Sequence, residues 1–99
     1  MAAKYIKVSA SPETLLSSSD KQHNGNIKSI NISGATSTGA LVGLYLDPVS
    51  TTEDDIYIIK DVLVPQGASL FLDKGLSFDI SKYSLKITTT VTGLSIIIK

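Results

Sequence analysis

The chain contains no cysteine, no tryptophan and no arginine, a single histidine and a single methionine. Without cysteine there is no disulfide framework, no thiolate nucleophile and no zinc–thiolate site. Because all nine basic residues are lysines, the bidentate fork that reads phosphate or guanine is missing. Nine acidic residues balance them to a formal charge of zero, so nothing electrostatic favours nucleic acid or an anionic membrane. No apolar run approaches the roughly 20 residues of a membrane-spanning helix. The opening Met1-Ala-Ala-Lys-Tyr-Ile-Lys7 has no long apolar core of the signal-peptide kind, and the expectation is an intracellular product.

What is present is a chain of 99 residues, 42 % of them hydrophobic, which is enough for one core and one domain over 1–99. Its hydrophobic pattern has a period of two. Tyr83, Leu85, Ile87, Thr89 and Val91 alternate with Ser84, Lys86, Thr88 and Thr90, which predicts a strand with one wet face. Leu94, Ile96 and Ile98 repeat the pattern after Thr92-Gly93, so residues 83–99 are expected to form a hairpin. Further short runs lie at Tyr5–Val8, Thr14–Leu16, Ile30–Ile32, Val42–Leu46, Ile56–Val64, Leu70–Leu72 and Leu76–Ile80. Turn residues separate them, among them Asp47-Pro48, Pro65-Gln66-Gly67 and Asp73-Lys74-Gly75. Gly34–Gly39 has the composition of a hairpin end, and Ser50–Asp55 that of an acidic one. A helix could start only at Ser11-Pro12, and three serines after Leu16 limit it to one turn. About eight short strands at such spacing predict an all-β, two-sheet antiparallel sandwich of jelly-roll or immunoglobulin-like type.

Catalytic chemistry finds little to work with. His23 sits in the polar stretch Ser17–Asn26 and is expected to be a solvated loop histidine rather than a proton carrier or metal ligand. Glu53-Asp54-Asp55 is the one carboxylate cluster, but contiguous acids on an extended chain point to alternate sides and do not build a calcium loop. No Gly-x-Ser-x-Gly turn, dinucleotide fingerprint or phosphate loop occurs. The expectation is a non-enzymatic protein without metal or cofactor.

Several strands are apolar at consecutive positions: Leu44-Tyr45-Leu46, Ile56–Ile59, Leu70-Phe71-Leu72 and Ile96-Ile97-Ile98. In a two-layer sandwich the outer face should meet water, so large side chains there predict a partner. The candidate interface residues are Tyr45, Tyr57, Ile59, Phe71 and Ile97. The partner is expected to be protein, with homo-oligomerisation or a symmetric array, and neither nucleic acid nor membrane. A second possibility is a sugar-stacking module built on Tyr45 or Tyr57.

Three stretches carry a family resemblance: Gly25–Ser33, Ala40–Leu46 and above all Ile56-Tyr-Ile-Ile-Lys-Asp-Val-Leu-Val-Pro-Gln-Gly-Ala-Ser-Leu-Phe-Leu-Asp73. With the later Tyr83-Ser-Leu-Lys86, they resemble small virion proteins of tailed bacteriophages, those of marine and cyanobacterial phages in particular. The resemblance spans residues 14–99, and its motifs encode strand, proline–glycine turn and strand rather than an active site. It implies a structural component of the particle assembled in a bacterial cytoplasm. That component would be a capsid-surface decoration protein bound to the major capsid protein, or a neck, collar or tail accessory.

Overall fold

The structure, a computed structural model, describes residues 3–19, 25–36, 38–50, 53–73 and 75–99. These hold ten strands and no helix. They are β1 (Lys4–Lys7), β2 (Glu13–Leu16), β3 (Asn26–Ile27), β4 (Ile30–Ser33) and β5 (Ala40–Pro48), followed by β6 (Ile56–Val64), β7 (Ser69–Leu72), β8 (Leu76–Ser77), β9 (Tyr83–Thr89) and β10 (Ser95–Ile98). Two four-stranded sheets form, sheet A in the order β1-β10-β4-β7 and sheet B in the order β2-β9-β5-β6, with β3 and β8 as a separate ribbon.

All strand pairings are antiparallel. The first strand pairs with the last, β2 with β9, β3 with β8, β4 with β7, and β5 with β6. The chain is therefore one long hairpin; its β3–β8 rung stands apart, and the other four are dealt to two sheets, joined within sheet A by β10–β4 and within sheet B by β9–β5. That order is the double Greek key of a jelly roll, and it places the sandwich in the all-β class.

Each large strand contributes one apolar row to a common core. Leu15, Leu16, Val42, Leu44, Leu85 and Ile87 come from sheet B, and Ile30, Ile32, Ile96 and Ile98 from sheet A, all 2 % exposed or less. Alternation does the sorting: in β9 the buried Leu85 and Ile87 are separated by the half-exposed Lys86. Residues 11–16 form no helix; Ser11-Pro12 is a cis peptide and β2 follows directly.

Two expected hairpins are instead crossovers between sheets. β9 belongs to sheet B and β10 to sheet A, so Thr92-Gly93 does not close a hairpin. The amide of Gly93 donates to Val8 O at 2.7 Å and Val8 N donates to Leu94 O at 2.8 Å, tying this turn to the end of β1. Gly34–Gly39 likewise carries the chain from β4 in sheet A to β5 in sheet B. The physical reason is that each flanking strand has a single apolar face. Opposite sheets bury both faces in one core, and a glycine at positive φ serves either route, as Gly93 does at 90°. The third acidic connection does close a hairpin, since β5 and β6 pair directly.

Candidate functional site

Candidate interface residues fall on two different outer faces. Tyr45 and Tyr57 oppose each other across β5 and β6 on sheet B. Phe71 and Ile97 lie on sheet A, in a cross-strand row that reads Tyr5, Ile97, Asn31, Phe71 from edge to edge. The sandwich separates the two groups.

Sheet B is shaped by β6, which carries more residues than the stretch of β5 it faces. Val42 pairs with Val62, Leu44 with Ile59 and Tyr45 with Tyr57. Lys60 and Asp61 therefore share Gly43 as partner, and Ile58 is an extra residue between two pairs. Such bulges bend the strand and change which side chains face out. Ile59, outward by simple alternation from Tyr57, is brought opposite the buried Leu44 and packs against the core. Asp61 absorbs the geometry at φ 53°, a conformation that aspartate tolerates better than most residues. Bulges and the adjacent charged residues Lys60 and Asp61 also blunt β6 as an edge strand.

Gly43 is the hinge of this face. A Cβ there would stand 2.7 Å from Thr88 Oγ1 and 3.7 Å from Tyr57 Cε2, so the tyrosine ring lies over the space a side chain would fill. Tyr45 sits under it, 6 % exposed, with ring centroids 5.2 Å apart. The Lys60 ammonium lies over the Tyr57 ring at 4.9 Å from its centroid. Burial raises the Tyr45 hydroxyl pKa above its ordinary value. Beside the pair, Lys86 Nζ meets Asp47 Oδ2 at 2.6 Å. That bond lowers the Asp47 pKa and raises that of Lys86. Asp55 is held above its ordinary value by partial desolvation and by its hydrogen bond to Asp47. Farther along the same face Leu41 opposes Leu63, and these are 43 % and 59 % exposed.

The sequence-based reading missed Leu41, Leu63 and Tyr5 as surface apolar residues. Leu41 was legible by parity, because it alternates with the buried Ala40 and Val42. Tyr5 has the same signal between Lys4 and Ile6 and is 75 % exposed.

Between the edges of β6 and β7 a groove of about 320 Å³ opens, lined by Ile58, Phe71, Leu72, Ile27, Leu76 and Asp73 among others. Among the described residues its lining is apolar apart from the Asp73 carboxylate. Among the described residues no group of His, Asp and Glu could hold a metal ion. Glu53 of the acidic turn accepts a hydrogen bond of 2.7 Å from the Tyr83 hydroxyl. His23 lies outside the described residues. No helix among the described residues is long and apolar enough to cross a membrane. No protein-family model, curated protein or solved structure matches the chain.

Proposed function

We propose that the chain is a non-enzymatic structural subunit of a tailed-phage virion, seated on the capsid surface through the outer face of sheet B. The observation that carries the contact is the exposed Leu41–Leu63 pair, continued toward Tyr57 on the same face. Water-exposed leucines in register on adjacent strands are a cost to a free monomer and an anchor for a protein neighbour. The virion assignment rests on the sequence resemblance, and the jelly roll, a fold common among viral capsid domains, agrees with it by analogy. Neutral net charge suits a protein partner rather than packaged DNA. Many weak contacts repeated by symmetry would hold such a subunit firmly.

A glycan module built on Tyr45 and Tyr57 is disfavoured by their geometry. Tyr45 is buried, and Lys60 occupies the ring of Tyr57.

The test is quantitative mass spectrometry of purified particles together with reconstitution onto shells lacking the protein. Wild-type chain should bind the shell at a copy number comparable with the capsid subunit, and Leu63→Asp should stay folded and fail to bind. A copy number at the scale of the tail axis would move the protein to the neck or tail. Absence from particles would overturn the proposal.

A further inference from the structure

We infer that the free edge of sheet A at β7 pairs with β7 of a second copy, about a two-fold axis between Phe71 and the partner's Phe71. The inference does not depend on the capsid contact, which uses the outer face of sheet B.

The sandwich is closed along one side and open along the other. On the closed side the edge strands are β1 and β2. There Leu15 and Leu16 are fully buried, and Lys4 Nζ donates to Leu15 O at 2.7 Å, tying the two sheets together. On the open side the edges are β7 and β6. Leu70 and Leu72 belong to the inward row, since they pair with the buried Ile32 and Ile30, yet both are only half-buried. Ile58 and Leu76 beside them are half-buried too, and the groove of about 320 Å³ opens at this edge. The core row thus ends without a cover.

A polypeptide strand is the cover that fits. Alternate residues of β7 turn N–H and C=O away from β4, and these main-chain groups have no partner among the described residues. Another strand satisfies that row at every second residue, which a sugar or a lipid does not. β6 cannot extend sheet B in this way, because its bulges break the ladder spacing.

The sequence of β7 complements itself. With the axis at Phe71, Leu70 lies opposite the partner's Leu72, and Ser69 lies opposite the partner's Asp73. Opposed residues share a face, so the leucines continue the inward row beside the groove. Phe71, 58 % exposed, meets the partner's Phe71 on the outer face. The Ser69 hydroxyl faces the partner's Asp73 carboxylate, donor against acceptor, and symmetry repeats the contact. Neither side chain has a partner among the described residues. No other edge of a second copy offers this match: β1 carries Lys4 and Lys7, while β2 and β6 have register shifts. Size agrees as well. Sides of a molecule measuring 37 × 31 × 22 Å, taken as ellipses, project roughly 500–900 Å², and side-chain relief raises the accessible area toward the about 800 Å² of a standard interface. An axis normal to sheet A also keeps both outer faces of sheet B on one side, clear of the joint.

Sedimentation equilibrium tests the inference, and the wild-type chain should pass from monomer to dimer as concentration rises. Phe71→Asp sets two carboxylates against each other at the axis and should weaken the dimer at least about thirtyfold. Ser69→Asp should also weaken it, whereas Ser69→Lys should tighten it by facing the partner's Asp73 with an ammonium. Both positions are exposed, and circular dichroism of the dilute variants should show the wild-type fold. Because the chain has no cysteine, Phe71→Cys reports the register directly. Opposed Cα atoms about 4.5–5.5 Å apart are within disulfide reach, so mild oxidation should give a covalent dimer. Tyr5→Cys, at the far edge of sheet A, should not. Leu63→Asp should dimerise as wild type, which separates this outcome from failure of the capsid contact. A wild-type chain that stays monomeric at millimolar concentration overturns the inference, as does a dimer indifferent to Phe71→Asp or equal crosslinking through Tyr5→Cys. A monomer that loses shell binding in Phe71→Asp assigns the edge to another protein's strand and overturns it too.

Discussion

Replacing Gly43 by alanine puts a methyl carbon 2.7 Å from Thr88 Oγ1, nearer than real side chains approach. The remaining neighbours, Ile59 O at 3.5 Å and Tyr57 Cε2 at 3.7 Å, are at ordinary contact distance and need not move. The whole cost therefore falls on the Thr88 side chain, across the β5–β9 pair in which Gly43 and Thr88 are opposite. Overpacking of this kind costs about 1–3 kcal/mol. Removing glycine flexibility from the unfolded chain returns about 0.4–1 kcal/mol. Taking mid-range values, the net expectation is a loss of about 1.3 kcal/mol, or roughly 5–10 °C in melting temperature for a domain of this size. Thermal and urea unfolding of Gly43→Ala, Thr88→Ala and the double variant form a cycle. Thr88→Ala should recover most of the loss in the Gly43→Ala background, with a coupling of about 1 kcal/mol or more. A Gly43→Ala variant as stable as wild type, or additive losses in the double variant, would refute the role assigned to this close approach.

Gly25→Ala should be severe. Its Cβ would stand well inside van der Waals contact of the Phe78 carbonyl oxygen, at φ 80°, and urea unfolding should show a loss of about 3 kcal/mol or more. Asp61→Val forces a β-branched residue into φ 53° and should cost about 1–2 kcal/mol by the same assay, whereas Asp61→Asn should be nearly neutral. The Asp47–Lys86 pair should act within a pH window. The folded pKa of Asp47 lies below 3.8, so its contribution is full above that value and lost as pH falls through the folded pKa. That of Lys86 lies above 10.5, so its contribution is full below 10.5 and lost as pH rises past the folded pKa. Asp55, raised, works in the opposite sense at the acid end and favours the folded state when protonated. Asp47→Asn should cost about 0.2–1 kcal/mol near neutral pH and progressively less in acid, as read from melts across pH.

Strand content was legible because alternation is local. Lys86 between Leu85 and Ile87 shows its inward and outward faces without reference to anything distant. The interface residues were legible only as a list. Tyr45 and Phe71 look alike in sequence, each a large aromatic between two leucines, yet one is 6 % exposed and the other lies on an open edge strand. The difference is Tyr57, which closes over Tyr45 because Gly43 leaves room for its ring. Phe71 sits on β7, where sheet A ends. Ile59 was a candidate interface residue, and a bulge that no local pattern announces turned it to the core.

Composition and periodicity thus determined an all-β chain with a single apolar core, since residue types and their alternation act over a few positions. Pairing of first strand with last, the passage of Thr92-Gly93 between sheets and the division of candidate residues between two faces were decided only in three dimensions. Those features depend on which distant apolar faces share a core, and one bulged residue is enough to reverse which way a side chain points.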